Sequence, residues 1–352
     1  MGGLVSEPLL INLGIFVLSA IAIALAGSRL AGVADRLAEV TGLGQALVGA
    51  IFLGGCTSLP GIVTSITAAA GGHAELATSN ALGAIAAQTV YLAVADIAYS
   101  KANLEHAAAS VTNLIQATLL VALLAIPLVA MSGPDISVFG IHPATLLIPI
   151  TYIFGLYLIS ESQSLPMWRP LQTSNTMQET VPHAELERVG EDSGLRSLAA
   201  QFLALAAVVT VAGYGVAHSA LGLSQVAHLS EGLVGSLFTA ISNSLPELVT
   251  TVAAVRRGAL TLAVGGVIGG NSFDVLLLAL SDVAYREGSI YKVLAGQQIF
   301  AIGLTILMTG ILILGMLRRE RHGIGNIGLE SVLLIVLYVG GFIALFFQGW
   351  QG

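Results

Sequence analysis

The sequence predicts an all-α polytopic membrane protein: ten transmembrane helices arranged as two inverted five-helix repeats. Three observations predict it. First, 55% of the residues are hydrophobic and only 9% are charged, whereas soluble domains carry roughly a quarter charged residues. Second, apolar stretches near the roughly twenty residues needed to cross the hydrocarbon core recur about ten times along the chain. Third, one piece of sequence is written twice, once in each half, with a polar stretch between the copies.

The first apolar stretch, 9–26, follows Glu7 and no basic residue, and it exceeds the core of a secretory signal, so it reads as a permanent helix. The stretches 46–70, 76–98, 111–131 and 144–159 complete a first repeat domain over residues 1–162. Residues 163–196 form a polar linker with Pro166, Pro170 and Pro182 and an acidic run of Glu185, Glu187, Glu191 and Asp192. Nothing in it has the alternating acids and closing Glu of a calcium-binding loop. The second, inverted repeat domain, residues 197–352, holds the stretches 198–217, 233–255, 263–284, 299–317 and 332–347.

Basic residues set the orientation. With both termini outside, Arg29, Arg36, Lys101, Arg169, Arg188, Arg196, Arg256, Arg257, Arg318, Arg319 and Arg321 fall in inner loops, and only Arg286 and Lys292 fall outside. About five spans per half make the second half enter from the opposite side. Inversion therefore follows from both the charge distribution and the span count.

The duplication aligns 54–99 with 240–285 without a gap, at roughly a third identity. Shared positions include Ser58/Ser244, Leu59/Leu245, Pro60/Pro246, Val63/Val249, Thr64/Thr250, Gly83/Gly269, Asp96/Asp282 and Tyr99/Tyr285. The copies differ where charge is concerned. Glu247 and Asp274 in the second stand opposite Gly61 and Gln88 in the first.

Pro60 and Pro246 lie inside apolar stretches, where each removes a backbone donor and frees a carbonyl one turn earlier. In hydrocarbon such groups need a partner, from protein, water or a cation, and Thr57, Ser58, Asn243 and Ser244 add oxygens at the same depth. Glu247 lies near the bilayer midplane, where an acid costs about 3 kcal/mol even on lenient insertion scales. Asp274 lies in the next stretch, after a glycine run over 265–270 that permits close helix approach and local unwinding. Two acids among neutral oxygens suit a hard cation such as calcium or sodium. No Lys or Arg occurs in the core stretches to pair with them, and no imidazole or thiolate beside them favours zinc or copper.

Other residues carry less. Asp96 and Asp282 fall at the ends of their stretches and read as capping groups or vestibule charges. His73, Glu75 and His142 fall in short outer loops and read as solvated surface. Cys56, the single cysteine, excludes an intramolecular disulfide and reads as a packing residue. The glycine run has no preceding strand and is no nucleotide loop, and HExxH, GxSxG and P-loop patterns are absent, so an enzymatic function has no residues to rest on. A net charge of −7 with no basic cluster argues against nucleic acid as a partner.

On these motifs the chain resembles the cation/calcium antiporter superfamily, which includes the sodium/calcium exchangers. The family pattern is G-T-S-L-P-E followed, after one helix and a turn, by G-S-N-x-F-(N/D). Residues 242–247 (Ser-Asn-Ser-Leu-Pro-Glu) and 269–274 (Gly-Gly-Asn-Ser-Phe-Asp) fit it closely. The first repeat keeps Thr57, Ser58, Leu59 and Pro60 but has Gly61 for the glutamate and Gln88 for the asparagine or acid. The resemblance implies a central site in which Ser244, Glu247, Asn271 and Asp274 bind cations alternately from the two sides. It also implies a sodium/calcium exchanger-like fold.

The reading that follows is secondary antiport of calcium against sodium, or against protons, by alternating access in the plasma (inner) membrane. The cation-binding residues are Glu247, Asp274, Ser244, Asn243, Asn271, Thr57, Ser58 and Gln88, with Glu247 and Asp274 as the charged metal ligands. Gly61 is expected to leave space for water or a shifted ligand. A second class of function remains open: a degenerate relative acting as a passive cation pathway or a cation sensor. No resident cofactor is expected, only transported ions; the partners are inorganic cations and the bilayer, and the sequence leaves homo-oligomerisation open.

Overall fold

The computed structural model describes residues 7–41, 54–98, 104, 108–134, 136–164, 193–294, 296–318 and 328–350. The described residues are predominantly helical, and the one β-bridge among them is the isolated pair Val138 and Ile141. The first half contains α1 (Glu7–Ala22), α2 (Ser28–Thr41), α3 (Leu59–Ala70), α4 (Ala74–Ala98), α5 (Val111–Ser132) and α6 (Pro143–Ser164). The second contains α7 (Ser193–Ala227), α8 (Glu231–Leu233), α9 (Ala240–Asn243), α10 (Leu245–Arg257), α11 (Leu260–Asp274), α12 (Leu276–Ala284), α13 (Ile290–Val293), α14 (Gly296–Arg318) and α15 (Leu329–Trp350). Most of the linker expected over 163–196 lies outside the described residues.

Among the described residues, eight helical segments are long and apolar enough to cross a membrane. Of the two remaining expected stretches, 46–70 is described only over 54–70, and that part and 233–255 are interrupted helices instead of single rods. In the first, residues 54–57 are helical, Ser58 breaks the run at φ −82° and ψ 2°, and α3 restarts with Pro60 in its first turn. In the second, α8, a π-helical turn (Val234–Thr239) and α9 lead to the same break at Ser244, φ −97° and ψ 8°, before α10. Proline is tolerated at a helix start because its missing N–H would be unpaired there anyway.

Two sequence expectations need correction here. Arg29 and Arg36 lie not in a loop but in α2, which continues α1 through a π-helical turn, Ile23–Gly27. The glycine run of 265–270 does not unwind: α11 passes through it, and the interruption falls after Asp274, at Val275. Its glycines serve close approach, since a Cβ on Gly265 would stand 2.8 Å from Asn113 Oδ1 of α5.

The repeat-bearing helices form the centre. In the windows around α4 and around α11 with α12, 83% and 67% of residues are buried, against 17% for the window spanning α1 and α2 and 11% for that of α7. The first helices of the two halves, α1 and α7, pack together outside this centre. Each half's outer helix meets the proline break of the other half through a glycine. A Cβ on Gly27 would lie 2.5 Å from Pro246 Cγ, and one on Gly213 would lie 3.0 Å from the Pro60 carbonyl oxygen.

Asp96 and Asp282 are fully buried and tie each repeat shut in the same way. Asp96 accepts from the N–H of Leu104 (2.7 Å), the N–H of Gly328 (3.0 Å) and Ser331 Oγ (2.9 Å). Asp282 accepts from the N–H of Ile290 (2.7 Å), the N–H of His142 (2.9 Å) and Thr145 Oγ1. Each therefore caps the start of its partner half's last long helix, at α15 and at α6. A charged acceptor satisfying N–H groups at a helix start is favourable both as a hydrogen bond and against the helix dipole. The repeat thus extends well beyond the aligned segment, because Gly328 and Ser331 follow His142 and Thr145 at the spacing of Asp282 from Asp96.

This arrangement also corrects the surface reading of His142. It is buried, accepts the Ala144 N–H at Nδ1 (3.1 Å) and stacks edge-on to Tyr291 at 5.5 Å. His73 is half-buried and pairs with Glu231 at 2.7 Å, joining the loop after α3 to the start of α8, and Glu75 is likewise half-buried. Lys292 donates to the carbonyls of Ala130 (2.9 Å) and Gly133 (2.7 Å), closing the C-terminal end of α5.

Candidate cation-binding site

The two helix breaks bring the motif residues of both halves to the centre of the molecule. Pro60 and Pro246 cannot donate to the carbonyls of Cys56 and Ser242, four residues earlier. Ser58 and Ser244, at the breaks themselves, aim their hydroxyls across the pseudo-twofold. Ser58 Oγ donates to Asp274 Oδ1, and Gln88 Nε2 lies 3.3 Å from Ser244 Oγ. Gln88 Nε2 also donates to Asp274 Oδ2 at 2.7 Å, directly joining two equivalent positions 186 residues apart.

Both acids are buried, with exposures of 7% for Glu247 and 2% for Asp274. Among the described residues no Lys or Arg pairs with either. The Asp274 charge acts on Glu247, so the two carboxylates are electrostatic neighbours. An uncompensated pair of buried like charges is expensive, and it calls for a positive group.

Four of the eight residues predicted as ligands hold a buried oxygen acceptor that receives no hydrogen bond: Gln88 Oε1, Asn243 Oδ1, Glu247 Oε2 and Asn271 Oδ1. Buried polar side-chain atoms are paired in the large majority of cases, and four of the ten unpartnered ones among the described residues fall on predicted ligands. All four are oxygens and none is a donor. That is the donor set of a hard cation, which takes six to eight oxygens in the case of calcium. Among the described residues no cluster of three His, Cys, Asp or Glu exists, so any such site depends on neutral oxygens for most of its ligands.

The predicted ligands do not all stand alike. Asn243 turns its amide nitrogen away, to Thr64 Oγ1 (3.1 Å) and Asn80 Oδ1 (2.8 Å), leaving its oxygen free. Asn271 is held by its nitrogen on Thr89 Oγ1 at 2.9 Å, again with the oxygen free. Thr57 is half-buried and bonds back to the Gly54 carbonyl at 3.2 Å. The space expected beside Gly61 does not exist: a Cβ there would stand 3.2 Å from Leu277 Cδ2 and 3.8 Å from Asn80 Nδ2. Apolar packing and an amide fill it.

Sequence reasoning missed the supporting shell of Asn80, Thr64, Ser65, Thr239 and Thr89, all buried. The signal available was the triplet Thr78-Ser79-Asn80 inside an otherwise apolar stretch. Tyr152, edge-on to Phe273 at 6.0 Å, was missed as well. Phe273 in turn packs beside Gly54, where a Cβ would lie 2.9 Å from its ring.

A profile of the sodium/calcium exchanger protein family matches residues 11–160 and 197–348, both halves but not the linker. The chain is 29% identical over 146 residues to the sodium/calcium exchanger MaX1 of Methanosarcina acetivorans, a stretch covering 41% of this chain and 39% of that protein. It is thus matched over less than half of that relative's length. Among solved structures, the fold is similar to that of an H+/Ca2+ exchanger CAX (TM-score 0.63, 17% identity, 95% of this chain and 88% of that one). It is also similar to the sodium-calcium exchanger NCX_Mj (TM-score 0.55, 20% identity, 96% and 99%).

Proposed function

The chain belongs to the sodium/calcium exchanger protein family, and from that premise we propose that it is a secondary antiporter exchanging calcium for sodium across the plasma (inner) membrane. The observation that carries the proposal is the set of three orphaned amide oxygens, on Gln88, Asn243 and Asn271, together with two buried carboxylates that no described Lys or Arg pairs with, one of which also has an orphaned oxygen. Glu247 and Asp274 supply the charge that offsets calcium. Ser58, Ser244, Gln88, Asn243 and Asn271 supply neutral oxygens in place of its hydration shell.

Sodium competes for the same carboxylates, which makes the two loads exclusive and couples their movements. Access alternates as the outer pair, α1 and α7, shifts against the centre, their glycines Gly27 and Gly213 riding on the two proline breaks. A ligand shifts such an equilibrium only by binding its two states differently. The motif serines, which change helix direction at the site, are placed to provide that difference.

A proton is the second reading for the counter-ion, and Glu247 Oε2 favours it, because an acceptor with no donor can be satisfied by a bound proton. The test is calcium uptake into proteoliposomes under an outward sodium gradient, repeated with a proton gradient. Uptake under the first alone supports sodium, and under the second alone protons. Absence of gradient-dependent uptake under both refutes antiport and leaves a passive pathway or a sensor.

A further inference from the structure

The two halves treat one polar position in opposite ways. In the first half the place that a side chain at residue 61 would enter is taken by Leu277 and by the Asn80 amide. That amide is fully used. Its Nδ2 donates to the Gly61 carbonyl (3.3 Å) and Ser65 Oγ (2.9 Å), and its Oδ1 accepts from Thr239 Oγ1 and Asn243 Nδ2, both at 2.8 Å. Both amide hydrogens are thus spent on protein oxygens, and both lone pairs of the amide oxygen on protein donors. The second half has Gly266 at the position equivalent to Asn80, and a Cβ there would meet nothing within 4 Å. Across from it the acid is present, as Glu247, with one oxygen unpartnered. Around residue 61 the first half has no acid and its amide is fully partnered, whereas at the equivalent place in the second half an acid is present with one oxygen unpartnered.

From this asymmetry we infer that the site takes a load of two positive charges and no more: one divalent cation on one leg of the cycle, two monovalent cations on the other. The inference rests on the antiport reading above and specifies its coupling. Glu247 and Asp274 are the charges available at the centre, and the Asn80 amide stands as a permanent neutral substitute for a third cation and its acid. One divalent ion leaves the loaded centre neutral, and so do two monovalent ions. Three monovalent ions would carry an uncompensated charge through hydrocarbon, the state that membrane interiors disfavour most. Exchange is therefore electroneutral.

The experiment uses the full chain in proteoliposomes, with radiolabelled calcium exchanged against sodium in one arm and protons in the other. The membrane potential is set by potassium and valinomycin. The steady calcium ratio across the membrane is expected to be unchanged by the potential. A cycle moving one net charge would shift that ratio by about 50-fold per 100 mV, and such a shift overturns the two-charge load while leaving antiport intact. No counter-ion-dependent flux in either arm overturns the antiport reading beneath it. Asn80→Asp, close to isosteric, puts an acid in the first-half position and is expected to make the ratio potential-dependent. An actively exchanging Asn80→Asp protein that stays indifferent to potential overturns the role given to Asn80, and the wild-type measurement decides the coupling whether or not that variant folds.

Discussion

Replacing Glu247 by Gln removes one of the two buried charges with almost no change of shape. In the ion-free protein Glu247 Oε2 receives no hydrogen bond and no described Lys or Arg pairs with it, so this oxygen gives up no favourable contact on substitution. What is lost is repulsion. Two like charges sharing one buried centre repel by an amount on the order of 1 kcal/mol at an effective dielectric constant of about 20. Ion-free E247Q should therefore unfold at the wild-type temperature or above it. Binding goes the other way: taking one partner from a buried charge pair costs about 3–5 kcal/mol, a loss of about 200- to 5,000-fold in calcium affinity. The assays are calorimetric calcium titration and thermal unfolding of the same detergent-solubilised protein. Calcium affinity within tenfold of wild type would refute the ligand role. A marked fall in ion-free stability would instead identify Glu247 as half of a structural pair.

Gly27→Leu and Gly213→Leu should abolish transport, because each places a side chain against the opposite half's proline break, whereas Gly14→Leu, with nothing within 4 Å of its Cβ, should transport normally; flux in proteoliposomes distinguishes them. Asp282→Ala leaves the N–H groups of His142 and Ile290 buried without their acceptor. It should cost about 3–5 kcal/mol of stability, read as a lowered unfolding temperature, with calcium affinity of the folded protein unchanged. Asp96→Ala should cost a similar amount, since its contacts match. Tags at both termini should be labelled from outside intact cells, as the distribution of Arg and Lys requires; protection of both would reverse the topology.

The parts of the fold legible in the sequence were those written in composition and local chemistry. Apolar length located the helices, and Pro60 and Pro246 marked two breaks that the structure places two residues earlier in each case, at Ser58 and Ser244. Motif spacing put Ser58, Gln88, Ser244 and Asp274 at one depth, and their side chains do meet. What could not be read were contacts that depend on distant partners. Asp96 read as a capping group or a vestibule charge, and it does cap a helix, but which helix could not be read, because Gly328 and Ser331 lie 232 and 235 residues away. His142 looked solvated for the same reason, its backbone N–H being held by Asp282 from the other half. Gly61 suggested a vacancy because a missing side chain says nothing of which neighbour moves in.

The symmetric and the asymmetric residues divide by task. Asp96 with Asp282, and Gly27 with Gly213, hold helix ends and outer helices against the opposite half, and each member of a pair does what the other does. Under the proposed alternating access, a scaffold that presents one site to two sides needs two end states of similar energy, which matched contacts in inverted halves would provide. The site lies where the halves meet, so its ligands are shared by both end states and need no matching. Gln88 opposite Asp274, and Asn80 with Gly61 opposite Gly266 with Glu247, change the charge of that shared centre without unbalancing the states around it. Charge can therefore be removed from one half while the frame keeps its twofold form, and the same reasoning explains why the loss at Gly61 is accompanied by a complete hydrogen-bond network and not by an open cavity.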